Sequence, residues 1–117
     1  MNRSVFRLRE FSGSDCLEFR KGSANAGRKF LREDSLYVLD DAFFFFLESL
    51  FQKVIPAFNM FEDTCVTRSE WQKVMQLNIS ETVLPEFVTE AEETLGAIDR
   101  WIATEIGETE GFRIIGV

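Results

Sequence analysis

One stretch decides the fold: DDAFFFFLESLFQKVIP, residues 40–56. At about 100° per residue, its apolar side chains fall on one side of a helix. These side chains are Phe43, Phe46, Leu47, Leu50, Phe51 and Val54, whereas Glu48, Ser49 and Gln52 lie opposite. The pattern predicts an amphipathic helix over residues 42–55. Asp40 or Asp41 is the expected N-cap, and Pro56 is expected to end the helix.

Phe45 breaks this pattern, because it falls among the polar positions of the helix. A phenylalanine there is either covered by another element or exposed for a partner. Cover is the more common arrangement for a large apolar side chain. Both interpretations remain open from the sequence, and Phe45 is a candidate partner-binding residue.

Two further helices are predicted downstream. Thr67-Arg68-Ser69-Glu70 matches a capping box and predicts a short helix over residues 67–77. The longest helix is predicted from Ser80 or Thr82 to about Ile106, with Pro85 in its first turn. Its apolar stripe is expected to comprise Leu84, Phe87, Val88, Ala91, Leu95, Ile98 and Ile102.

Strands are predicted at both ends of the chain. Residues 5–11 and 16–20 alternate in polarity around a turn cluster, which favours a hairpin. One more strand is predicted within residues 29–38, a short one at 64–66, and a last one at 112–117 that pairs with the N-terminal strands. The sequence therefore predicts one α+β domain over residues 1–117, with an antiparallel or mixed sheet covered by about three helices.

Composition supports a single hydrophobic core. The chain has 117 residues, 45% of them hydrophobic and 13 of them phenylalanine. This is enough to form the core of one domain without disulfide or metal cross-links. Cys16 and Cys65 do not make a disulfide framework. The charged N-terminus lacks the apolar segment of a signal peptide, and no run approaches the roughly 18 apolar residues of a membrane span. We expect a cytoplasmic protein with reduced thiols and no membrane partner.

The absence of histidine excludes several kinds of chemistry. With no histidine in the chain, Ser-His-Asp and Cys-His nucleophile systems and His-containing zinc sites are ruled out. No glycine-rich phosphate loop is present. We therefore expect no catalytic residue, no metal and no cofactor. The pairs Asp40-Asp41 and Glu62-Asp63 leave open a carboxylate-dependent metal enzyme, although caps and turns explain them more simply.

The net charge of −7 is unevenly distributed. Residues 1–33 carry eight basic and four acidic side chains, whereas residues 81–110 carry nine acidic side chains and Arg100 alone. Phosphates would repel the acidic body, and no nucleic-acid motif accompanies the basic third. We expect the bases to line a solvated sheet face and to pair with acids elsewhere, and we expect no nucleic-acid partner.

Three carboxylates of the longest predicted helix share a face, because Glu86, Glu90 and Glu93 lie at i, i+4 and i+7. Their mutual repulsion costs only a few tenths of a kcal/mol per pair. A solvated face that keeps the protein soluble would explain them. So would a surface that attracts a basic partner.

Four features carry a family resemblance: LDDAFFFFL (residues 39–47), FNMF (58–61), TRSEW (67–71) and the acidic final helix. With strands before them, they resemble the layout of the small acidic immunity proteins that bacteria encode beside polymorphic or contact-dependent toxins. The resemblance spans roughly residues 36–110.

The resemblance implies a protein that binds a cognate toxin domain, often a basic nuclease, and blocks its active site. An acidic face then takes the place of the phosphates that the nuclease binds. We expect the protein to be a monomer or a weak homodimer. The resemblance supplies no functional residues of its own. Under this hypothesis we expect the acidic residues Glu86, Glu90, Glu93, Glu108 and Glu110 to form the contact surface, with Phe45 as an apolar anchor. The alternative is a small regulatory or scaffold domain, as a monomer or a homodimer, that uses Phe45 and the sheet edge.

Overall fold

The computed structural model describes residues 5–6, 15–21, 34–106 and 111–116. Over these residues the chain forms a sheet with helices packed against it, so the predicted α+β class is confirmed. The predicted strand residues 7–11 and turn residues 12–14 lie outside the described residues.

Five strands form one sheet in the described part of the chain, in the order β1-β3-β2-β5-β4, and each pairing is antiparallel. They are β1 (Val5–Phe6), β2 (Cys16–Lys21), β3 (Leu36–Leu39), β4 (Thr64–Val66) and β5 (Phe112–Ile115). The C-terminal strand pairs with β2, Phe19 opposite Ile114, which confirms that prediction.

The predicted hairpin between the first two strands is wrong. β1 pairs with β3 through Val5 and Val38, and β2 lies on the other side of β3. The alternation of apolar and charged residues indicates a strand but does not choose its neighbour. β2 is the middle strand, with β3 on one side and β5 on the other, and both of its faces are buried.

A buried ion pair lies on one face of β2. Glu18 and Arg20 are 0% and 1% exposed, and the guanidinium binds the carboxylate through Nε at 3.0 Å and Nη2 at 2.9 Å. Ser35 Oγ donates to the same carboxylate at 2.7 Å. Arg20 therefore does not line a solvated face as expected, although it does pair with an acid. Lys21 pairs with Asp34 at 3.2 Å, partly exposed.

Helix α1 has three consecutive parts: an α-helical start (Asp40–Ala42), a π-helical turn (Phe43–Leu47) and an α-helical remainder (Glu48–Val54). The N-cap is Leu39, without a side-chain cap, so the cap predicted at Asp40 or Asp41 is wrong. Both aspartates lie in the first turn, where a negative charge still interacts favourably with the helix dipole. The Asp40 N–H donates to the Asp15 carbonyl instead.

Helix α2 (Arg68–Met75) begins at the predicted capping box. The Glu70 N–H donates to Thr67 Oγ1 at 3.1 Å, and the Thr67 N–H donates to Glu70 Oε1 at 2.8 Å. Trp71 lies in the core, and its indole N–H reaches Asp99 Oδ1 at 2.9 Å. The buried tryptophan thereby satisfies its one polar atom.

Helix α3 (Val88–Glu105) begins later than predicted. Two 3₁₀ turns, Ile79–Glu81 and Pro85–Phe87, precede it. Leu84 has extended backbone with ψ of 144°, as expected for a residue before proline, so no helix can run through it from residue 80 or 82. The stripe Ala91, Leu95, Ile98 and Ile102 is buried as predicted, whereas Leu84 is exposed.

The core centres on the ring of Phe19. Its centroid lies 5.9 Å from Phe43, 6.4 Å from Phe51, 6.2 Å from Trp101 and 5.7 Å from Phe112. One side chain of β2 thus contacts α1, α3 and β5. These contacts fix both helices on the same face of the sheet.

Substitution by alanine is expected to have opposite effects on stability at two glycines. A Cβ at Gly116 would lie 2.6 Å from the backbone nitrogen of Glu62, whereas one at Gly96 on α3 would meet only the end of Arg100 at 3.5 Å. We expect Gly116→Ala to lower the free energy of unfolding by about 1–3 kcal/mol. Gly96→Ala should raise it by about 1 kcal/mol. Urea denaturation measures both, and a stable Gly116→Ala protein would contradict the close approach.

The buried ion pair predicts a large cost when one partner is removed. Glu18→Ala removes the carboxylate that binds Nε and Nη2 of the buried Arg20 guanidinium and should cost about 3–5 kcal/mol of unfolding free energy. Lys21→Ala, one residue beyond Arg20, breaks a partly exposed pair and should cost about 0–1 kcal/mol. Equal losses in urea denaturation would show that burial does not distinguish the two pairs.

Candidate interaction surface

The π-helical turn of α1 presents two adjacent phenylalanines to solvent. The Glu48 N–H donates to the Phe43 carbonyl, an i→i+5 bond that widens the helix locally. Phe43 and Phe46 point into the core, while Phe44 is 75% and Phe45 49% exposed. Single π turns inside α-helices are frequent at functional sites.

Phe45 is partly covered by one partner. Its ring stacks on Phe87 with centroids 5.1 Å apart and 25° between planes, and Phe44 meets it edge-on at 5.1 Å and 86°. Phe87 also contacts the buried Phe46 at 6.2 Å. Phe44, Phe45 and Phe87, here called the aromatic step, therefore join an exposed surface to the core.

The segment that leads into α3 supplies the third ring. The Phe87 N–H donates to the Leu84 carbonyl at 2.9 Å and closes the 3₁₀ turn that begins with Pro85. Leu84 is 59% exposed and Phe87 half-buried. Because the segment turns before the helix starts, its apolar residues lie at the surface rather than in the predicted stripe.

Carboxylates lie in the 3₁₀ turn before α3 and on α3 itself, so Glu86 does not share a helix with Glu90 and Glu93 as predicted. Glu86 directly precedes Phe87, Glu90 lies three residues after it, and Glu93 lies one turn further. Glu86 and Glu93 are exposed and Glu90 is half-buried. These three residues are here called the acidic rim. Acids at the start of a helix also favour its dipole, which gives Glu90 a structural role as well.

The structure thus brings Phe45 together with part of the predicted contact surface. Stacking on Phe87 puts Phe45 beside the segment that carries Glu86 and Glu90. The other two predicted contact residues, Glu108 and Glu110, lie outside the described residues.

Two exposed residues, Phe44 and Leu84, and the half-buried Phe87 lie where the sequence pattern does not predict them. Phe44 falls near the edge of the apolar face when the helix is drawn as regular, and the π turn moves it outward. Leu84 and Phe87 were assigned to the buried stripe of a helix that begins later. Pro85 was the available signal, because proline restrains the residue before it.

The acidic pairs in the sequence have structural roles. Asp63 accepts from the Gly116 N–H at 3.1 Å and lies 3.9 Å from the Arg113 guanidinium, which ties the connector before β4 to the end of β5. Within the part of the chain that the structure describes, no three His, Cys, Asp or Glu side chains converge to hold a metal ion.

The two cysteines are separated in the fold. Cys16 is buried on β2, Cys65 is exposed on β4, and neither forms a disulfide. Among residues 5–6, 15–21, 34–106 and 111–116, no helix is long and apolar enough to cross a bilayer.

The π turn predicts a sharp contrast between neighbouring phenylalanines. Phe43→Ala should cost about 3–5 kcal/mol of unfolding free energy, because Phe43 is fully buried. Phe44→Ala removes mainly an exposed edge contact and should cost less than about 1 kcal/mol. Urea denaturation followed by tryptophan fluorescence compares them. Similar losses would place Phe44 in the core and contradict the π turn.

Comparison with known proteins adds no relative. No family model matches the chain, and no curated protein or solved structure shows significant similarity to it. The function of the protein is therefore inferred from this chain's own residues.

Proposed function

We propose that this protein is an immunity-type inhibitor that binds a cognate bacterial toxin domain and neutralises it. One observation carries the proposal: two adjacent exposed phenylalanines on a π turn, stacked beside an acidic helix start. Large exposed aromatic side chains next to charge are typical of protein-binding surfaces.

The aromatic step supplies the apolar part of such a surface. Binding hot spots are rich in aromatic side chains that the partner covers completely. Phe45 is held by Phe87 before any partner arrives. Less side-chain entropy is then lost on binding than for a freely rotating residue.

The acidic rim supplies the charge. A basic toxin domain approaches a patch of carboxylates faster than a neutral one, and acidic proteins are repelled. In a nuclease the same basic residues hold phosphates, so an acidic protein that covers them prevents substrate binding. The resemblance of residues 36–110 to the layout of immunity proteins is consistent with the same role.

The regulatory or scaffold alternative uses the same phenylalanines. A homodimer that buries the aromatic step would place Phe44 and Phe45 of two copies together. Light scattering across a range of protein concentrations separates the two functions. A monomer favours the inhibitor, whereas a stable dimer lost in Phe45→Ser favours the scaffold.

Charge reversal tests the inhibitor directly. Glu86→Lys/Glu93→Lys should slow association with the product of the gene immediately upstream, on the order of tenfold at low salt, because rim charges act mainly on the association rate. Surface plasmon resonance measures the rate, and co-expression with the toxin measures protection. Glu90 is left intact, since a lysine in the first turn also weakens the helix.

A second double variant is the matched control. Glu62→Lys/Glu92→Lys changes the net charge equally at exposed positions that belong to neither the step nor the rim. Helix α3 carries Glu92 two residues from Glu90, toward the side where Asp99 contacts Trp71. Equal loss in both variants would mean that total charge matters and not this surface. No binding by the unaltered protein would sink the inhibitor proposal.

A further inference from the structure

We propose that the aromatic step takes an arginine side chain of the partner, with the guanidinium lying on an exposed phenylalanine ring and directed toward the acidic rim. This inference rests on the proposed function and names the chemistry of the contact. The three rings and the carboxylates beside them carry it.

The rings form a corner. Phe44 stands nearly perpendicular to Phe45, whereas Phe45 lies almost parallel to Phe87. Because Phe44 and Phe45 are 75% and 49% exposed, ring surface remains for a partner. Phenylalanine has no polar tip, so its electrostatic interactions come from the ring quadrupole, whose negative face attracts cations.

The surrounding charge selects a cation. Glu86 and Glu90 flank Phe87 in the chain, and Asp41 is exposed one turn before Phe45 on α1. The basic residue of α3, Arg100, lies more than two turns beyond Glu90. A negative partner would be repelled at this corner.

A second copy of the chain fits this corner poorly. Two copies that meet here in a symmetric dimer would bring their own Glu86 and Glu90 side chains together. Like charges across a contact are unfavourable. A basic partner segment meets no such repulsion.

Arginine fits better than lysine. Its planar guanidinium stacks on an aromatic ring while its N–H groups still reach a carboxylate. The lysine ammonium is compact and strongly hydrated, so it gives up more hydration on a ring face. The step offers both requirements, a ring surface and nearby carboxylates.

Amide NMR tests this with a defined probe. The probe is a blocked Gly-Arg-Leu-Arg-Gly peptide added to the ¹⁵N-labelled full chain at low salt. We expect shifts confined to residues 44–45 and 84–90, with an affinity on the order of 1 mM. No saturable shifts, or shifts centred elsewhere, would overturn the inference.

Matched peptides separate the chemistry. Replacing both arginines by citrulline keeps the shape and removes the charge, and replacing them by lysine keeps the charge and removes the plane. We expect both to bind more weakly than the arginine peptide, citrulline most of all. Equal binding of the citrulline or the lysine peptide would overturn the role of the guanidinium.

Matched protein variants separate the site. Phe45→Ser should weaken the arginine peptide roughly two- to fivefold, the size of an exposed cation–π contact. Phe61→Ser removes another exposed phenylalanine, 67% accessible in the connector before β4, and should leave binding unchanged. An equal loss in both variants would contradict the assignment to the aromatic step.

The outcomes distinguish this inference from the proposed function. If the toxin binds in a way that depends on Glu86 and Glu93 but the peptide does not bind, the arginine contact is contradicted and the inhibitor function is supported. If the peptide binds at the aromatic step but the upstream gene product does not bind, the arginine contact is supported and the inhibitor function is contradicted.

Discussion

The ring of Phe19 is the contact on which the rest of the structure depends. It lies on the central strand β2 and touches Phe43 and Phe51 of α1, Trp101 of α3 and Phe112 of β5. Aromatic pairs add roughly 0.5–1.5 kcal/mol each beyond the area they bury. Both helices are thereby held on one face of the sheet, and the contacts of Phe87 with Phe45 and Phe46 bring the π turn of α1 beside the segment that leads into α3. The candidate surface forms at that junction.

Features set by short-range interactions could be predicted from the sequence. The capping box at Thr67 and Glu70 needs only residues three apart, so the start of α2 is where the pattern indicates. The buried stripe of α3 follows from the helical repeat over many residues. The strand over residues 112–115 and its pairing with an N-terminal strand also agree with the prediction.

Features set by tertiary contacts could not be predicted from the sequence. The neighbour of each strand depends on β2 being buried on both faces, and Glu18 looks like a surface residue until Arg20 and Ser35 are found around it. Four consecutive phenylalanines carry no mark of which ones turn outward. Phe45 was recognised because its neighbours in the helical repeat are polar. Phe44 depends on the one extra residue in the π turn, which a regular repeat cannot show.

That extra residue also bears on how the chain can change over time. A π turn holds one more residue than the regular helix needs, so a chain with three phenylalanines at residues 43–46 could close a regular α-helix there. Such a deletion would remove irregular backbone and an exposed apolar side chain together. The exposed pair of phenylalanines and the irregular backbone therefore depend on the same inserted residue, and a change that removes one removes the other.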